Sequence, residues 1–144
     1  MSNLSQLAYF HHATDYVMTA AAVGSLLVFL SIMFVIMIIV YVIVALLLSR
    51  IFQKAGVPAW IAWVPFYNMW KTLELGDQQG FWAVLAIIPF VNYVSLVFLY
   101  IAMYKIGLRF GKESWFVVLA IFVPIVWYAW LALDNSKWAP VKKA

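Results

Sequence analysis

The chain contains no cysteine. That excludes disulfides, thiolate metal sites and cysteine nucleophiles, and it leaves the compartment open. Charge is nearly as scarce. Asp, Glu, Lys and Arg make up 10% of the 144 residues, against about 25% in soluble globular domains. Residues 16–49 carry no charge, and the first basic residue is Arg50, so the positive n-region of a cleavable signal peptide is missing. The only two histidines are His11 and His12, so no histidine lies within the apolar stretches where a haem between helices would need one. There is no phosphate-binding glycine loop and no GxSxG elbow. Ser31 and Ser95 sit in apolar runs without an evident base, and Ser114 lies in a turn beside Lys112 and Glu113. No catalytic set emerges, no cofactor is implied, and an enzyme is not expected.

What is present is apolar. Hydrophobic residues make up 68% of the chain and aromatics 19%. A soluble fold cannot cover that much apolar surface, whereas a bilayer can, and Trp and Tyr collect at its interfaces. The composition therefore implies an all-α integral membrane protein. A net charge of +4 fits loops near anionic headgroups rather than nucleic-acid binding.

Four regions follow along the chain: a polar segment at 1–16, a long first transmembrane helix at 17–49, an apolar and aromatic region at 50–133, and a basic tail at 134–144. β-Branched residues crowd the first helix, but an isolated strand in lipid leaves its backbone groups unpaired, so helix is the form expected. Ala20, Gly24 and Ser31 share one face, and small residues at such spacing let a second helix approach closely. Arg50 and Lys54 close the helix.

Within 50–133 two stretches echo each other. Gly56 precedes Pro65-Phe66-Tyr67-Asn68 by the same spacing with which Gly80 precedes Pro89-Phe90-Val91-Asn92, giving a period of 24 residues that also matches Ala62 with Ala86. Spans are expected at about 57–75, 81–104 and 115–133, the last broken by Pro124. Only 16 uncharged residues lie between Lys54 and Lys71, so the first of these is either a tight crossing or a re-entrant segment. The expected architecture is a small bundle of four transmembrane helices, or three plus one re-entrant. With four crossings, Arg50, Lys54, Lys105, Arg109 and Lys112 oppose Lys71 and the tail lysines Lys137, Lys142 and Lys143. With three, Lys71 joins Arg50, Lys54 and the tail. Both arrangements put the cation-free N-terminus outside by the positive-inside rule.

Proline removes an amide donor and frees the carbonyl one turn earlier. Pro65/Asn68 and Pro89/Asn92 are therefore helix breaks with a polar group at hand, either bridging helices or forming a broken-helix transport site. No carboxylate lies beside either asparagine to serve a coupled ion. Lys105, Arg109 and Lys112 form a basic stripe suited to lipid headgroups or a protein partner, with Arg50 and Lys54 beside it. Lys71 and Glu74 read as a surface pair. His11, His12 and Asp15 cap the first helix rather than hold a metal, because adjacent histidines on a regular helix cannot face one ion.

The run Lys54-Ala55-Gly56-Val57-Pro58-Ala59-Trp60, then Pro65-Phe66-Tyr67-Asn68, then Ile88-Pro89-Phe90-Val91-Asn92, then Phe110-Gly111-Lys112 and a late Pro124, resembles an uncharacterised bacterial family of polytopic membrane proteins. The likeness covers about residues 50–138. It implies a membrane fold and no mechanism. Some members are labelled signal-peptidase-like, but a serine–lysine dyad on a soluble β domain has no room here. The function expected is that of an accessory or scaffold subunit in a bacterial inner membrane, packed against other membrane subunits or copies of itself. The alternative is a small channel or transporter.

Overall fold

A computed structural model describes residues 2–139, with side chains described from residue 3. Met1 and the end of the tail, with Lys142 and Lys143, lie outside the described residues. All regular structure described is helical, and no strand occurs among the described residues. Two helices, one near the N-terminus and one at Val91–Arg109, are long and apolar enough to cross a membrane.

The chain divides into two units, Met1–Tyr41 and Val42–Ala144. Helix α1 runs Ser2–Lys54 without interruption. The polar segment at 1–16 is helical from Ser2 and continuous with the apolar run. No proline precedes Pro58, so nothing locally stops the helix earlier. In the first unit every residue from 14 to 41 is exposed.

The second unit contains α2 (Tyr67–Leu75), α3 (Trp82–Leu85), α4 (Val91–Arg109), α5 (Val117–Phe122) and α6 (Pro124–Leu133), with short 3-10 helices at Ala59–Trp63 and Ser114–Phe116. Each expected span is thus two helical pieces joined at a proline. At Pro65 and Pro89 the following phenylalanine takes nearly the same unusual backbone, φ 62°, ψ −42° at Phe66 and φ 68°, ψ −41° at Phe90. Positive φ is uncommon for a bulky side chain and reverses the chain instead of kinking a helix. The backbone stays satisfied locally. Tyr67 N–H donates to the Pro65 carbonyl at 2.7 Å, Asn68 N–H to Val64 at 3.0 Å, and Asn92 N–H to Ile88 at 3.0 Å. At Pro124 the break is different: Val123 is extended (φ −139°, ψ 71°) and Pro124 opens α6.

The longer pieces run the same way. Leu73 of α2 packs with Ala102 of α4, and Gly76, just past α2, lies against Ala102. Trp127, Leu131 and Ala132 of α6 share a core with Met103, Ile106 and Phe110, and Ile51 of α1 joins it. The C-terminal ends of α1, α2, α4 and α6 therefore meet at one face of this unit. The intervening pieces (Ala59–Trp63, α3, and Ser114–Phe116 with α5) carry the chain back each time. The expected bundle of four spans, or of three plus one re-entrant, is not shown: two helices are long and apolar enough to cross a membrane, and each later stretch is interrupted at its proline.

Gly76 and Gly80 make this packing possible. A Cβ on Gly76 would enter the Ala102 backbone, and one on Gly80 would enter the Trp70 indole, whereas a Cβ on Gly24 meets nothing within 4 Å. Gly76→Ala is expected to destabilise the protein by at least about 1–3 kcal/mol through overpacking, while Gly24→Ala costs nothing. Thermal unfolding of the two variants in detergent checks this, and an unchanged midpoint for Gly76→Ala would contradict the close approach.

Candidate functional site

The face where the helix ends meet is also where the charges gather. Three helices stop there by the same device. After α1, Gly56 N–H donates to Gln53 at 3.1 Å and Val57 N–H to Phe52 at 2.8 Å. After α2, Asp77 N–H donates to Glu74 at 3.0 Å and Gln78 N–H to Leu73 at 2.9 Å. After α4, Gly111 N–H donates to Leu108 at 2.9 Å and Lys112 N–H to Gly107 at 3.0 Å. Each is a Schellman motif, which satisfies last-turn carbonyls and needs a left-handed residue. Gly56 (φ 76°) and Gly111 (φ 74°) supply it without strain, and Asp77 (φ 56°) supplies it while presenting a carboxylate.

Helix C-termini carry partial negative charge, so cations are favoured there. Lys54 Nζ donates to the carbonyls of Leu131 and Asp134, both at 2.6 Å, closing the end of α6 with a side chain from the end of α1. It also lies 3.4 Å from Asp134 Oδ1 and 5.8 Å from the Phe110 ring centroid. Lys112 Nζ donates to Asp134 Oδ2. The Ser136 amide at 3.1 Å and the Ser136 hydroxyl both donate to Oδ1. Asp134 is thus the hub of the face. Arg109 extends it, with Nη2 donating to Asp77 Oδ1 at 2.5 Å and its guanidinium 5.2 Å from the Trp138 ring. Trp138 packs edge-on against Phe110 at 5.2 Å, and Ala139 N–H donates to the Arg109 carbonyl at 2.9 Å. Residues 134–139 are thereby strapped across the face.

Of the five cations singled out from the sequence, Lys54, Arg109 and Lys112 come together here. Arg50 is exposed and Lys105 half-buried, and neither joins an ion pair among the described residues. The acidic partners Asp77 and Asp134 were not expected. Their signal in the sequence is positional: in a chain with five acidic residues, Asp134 directly follows an apolar helix and Asp77 lies two residues past the end of α2. Lys71 and Glu74 form the expected pair at 2.6 Å.

The two Pro/Asn motifs differ in their polar bonding. Asn68 Nδ2 donates to the Ala62 carbonyl at 3.2 Å, tying α2 to the 3-10 helix before Pro65. The equivalent Asn92 leaves its Oδ1 buried without a partner. Ala20, Gly24 and Ser31 are exposed, and the Ser31 hydroxyl donates to the Leu27 carbonyl of its own helix at 2.8 Å. Among the described residues no three of His, Asp and Glu are grouped to hold a metal.

Burial alone would raise the Asp134 carboxyl. The Lys112 bond and the Ser136 hydroxyl and amide outweigh it and hold the group at about 2, below its ordinary 3.8. A depressed folded-state value means stability that is full above about pH 4 and lost as pH falls towards 2. The side chain is 22% exposed, so screening limits the contribution to about 1 kcal/mol. Asp134→Asn should lower the unfolding midpoint at pH 7 and flatten the loss between pH 4 and 2. A variant with the acid slope of the parent would remove Asp134 from its place at the hub.

Residues 60–140, more than half of the chain, match a family of unknown function, DUF5684. No curated protein and no solved structure matches the chain.

Proposed function

The chain belongs to the family of unknown function DUF5684, and we propose that it is a small integral membrane protein serving as an accessory or scaffold subunit, packed against other membrane subunits or copies of itself. The observation that carries this is the first unit. Residues 16–41 form a helix that is uncharged and exposed on every face. Apolar side chains such as Leu26, Leu27, Phe29, Phe34 and Ile39 are each more than half exposed. Leaving each of them in water costs about 1.5–3 kcal/mol, so this helix demands lipid or another protein around it.

The Ala20, Gly24 and Ser31 face supports a helical partner, since a Cβ on Gly24 meets nothing within 4 Å. The shared backbone at Pro65-Phe66 and Pro89-Phe90 supports two copies of one structural unit. A bacterial inner membrane with the N-terminus outside agrees with the cation-free start of the chain. A channel or transporter is the second reading, favoured by one observation, the buried and unpartnered Asn92 Oδ1.

Gentle-detergent purification tests the subunit role. The protein should emerge with itself or a partner in fixed stoichiometry, and Gly24→Leu should reduce that association at least tenfold while leaving the unfolding midpoint unchanged. A monomer that emerges alone removes the subunit role. Flux across liposomes containing the pure protein, abolished by Asn92→Leu, would establish the second reading in its place.

A further inference from the structure

We infer that the chain crosses the bilayer once, through α1, and that residues 57–133 enter the membrane from the Lys54 side and return to it as three apolar hairpins turning at Pro65, Pro89 and Pro124. The inference rests on the membrane location proposed above and goes beyond it.

Three ion pairs carry the argument. Asp77 and Arg109 bracket the second expected span and are bonded at 2.5 Å. The hydrocarbon core is about 30 Å thick, so residues so bonded lie on one side of it, and the chain between them returns to where it began. Lys112 and Asp134 bracket the last expected span and are bonded as well. Lys54 is bonded to Asp134, so once those two stretches return, the stretch 57–75 must also return.

The far ends of the hairpins suit lipid. No charged residue occurs in 57–70, 80–104 or 114–133. The turns carry Phe66 at 58%, Phe90 at 85% and Phe122 at 78% exposure. Helix α4 has 19 residues, about 28 Å at 1.5 Å per residue, so the Pro89 turn lies deep in the bilayer, where its backbone is served from within the chain, Asn92 N–H donating to the Ile88 carbonyl at 3.0 Å.

The charge distribution gives the orientation. All nine lysines and arginines follow residue 49, so a single crossing by α1 puts nine on one side and none on the other. A four-crossing topology divides the same residues five to four. By the positive-inside rule the ion-pair face and the tail are cytoplasmic, and the partner of this surface is the cytoplasmic leaflet with its anionic headgroups.

Because the chain has no cysteine, single cysteines report position directly. Gln6→Cys, Gln53→Cys, Gln79→Cys, Glu113→Cys and Lys137→Cys all lie at exposed positions. Each variant is treated with a membrane-impermeant maleimide in spheroplasts and in inverted vesicles. The expected result is labelling of positions 53, 79, 113 and 137 from the cytoplasmic side and of position 6 from the other. Positions 79 and 137 reacting from the side of position 6 would mean four crossings, and position 113 alone doing so would mean three. Either pattern overturns the inference. Labelling of position 6 from the same side as all the rest means that α1 does not cross, and the membrane reading then fails together with the inference. A protein that is monomeric yet labelled as expected loses only the subunit role.

Discussion

The carboxylate of Asp134 holds together the ends of three helices that are far apart in sequence. Lys54 comes from the end of α1, Lys112 from the turn after α4, and Asp134 itself from the end of α6. Parallel helices bring like dipole ends together, which is unfavourable, and cations at the shared C-terminal face offset it. Lys54 does so directly, since it donates to the Leu131 carbonyl as well as to Asp134. A buried ion pair alone is weak evidence for stability. Here the pairs are partly exposed, and their main effect is geometric: they determine which helix ends are neighbours.

Beneath that face the apolar core follows the same arrangement. Ile51, Ile106, Trp127 and Leu131 are at most 1% exposed and come from α1, α4 and α6. A second cluster joins Leu48 and Phe52 of α1 to Ile61 and Ala62 of the first returning piece. A third joins Leu73, Ala83 and Ala102, so that α2, α3 and α4 meet at small residues. Gly76 and Gly80 permit that approach. The two Pro/Asn turns differ in polar bonding: Asn68 finds the Ala62 carbonyl, but Asn92 Oδ1 finds nothing. An unmade buried hydrogen bond costs about 1–3 kcal/mol. The two motifs are therefore alike in backbone and unlike in energy.

Much of the protein was legible without coordinates. The scarcity of charge and the long uncharged run determined a helical, lipid-suited chain, because unpaired backbone in an apolar medium leaves helix as the local solution. The prolines marked each interruption, because proline has no amide to donate. The end of α1 at Lys54, the Lys71–Glu74 pair and the matched spacing of the two Pro-Phe motifs were all visible as local patterns. What each proline does was not. A kink and a reversal call for the same residue, and only the positive φ at Phe66 and Phe90 tells them apart. Asp77 and Asp134 were equally silent, because a carboxylate in a turn and one at the hub of a network read alike until distant lysines are brought to them. Composition and local spacing thus determined an all-helical chain with helices apolar enough to cross a membrane, and the places where it bends. Tertiary structure decided the direction of each segment and the partner of each charge, since both depend on contacts between residues 20 to 80 positions apart.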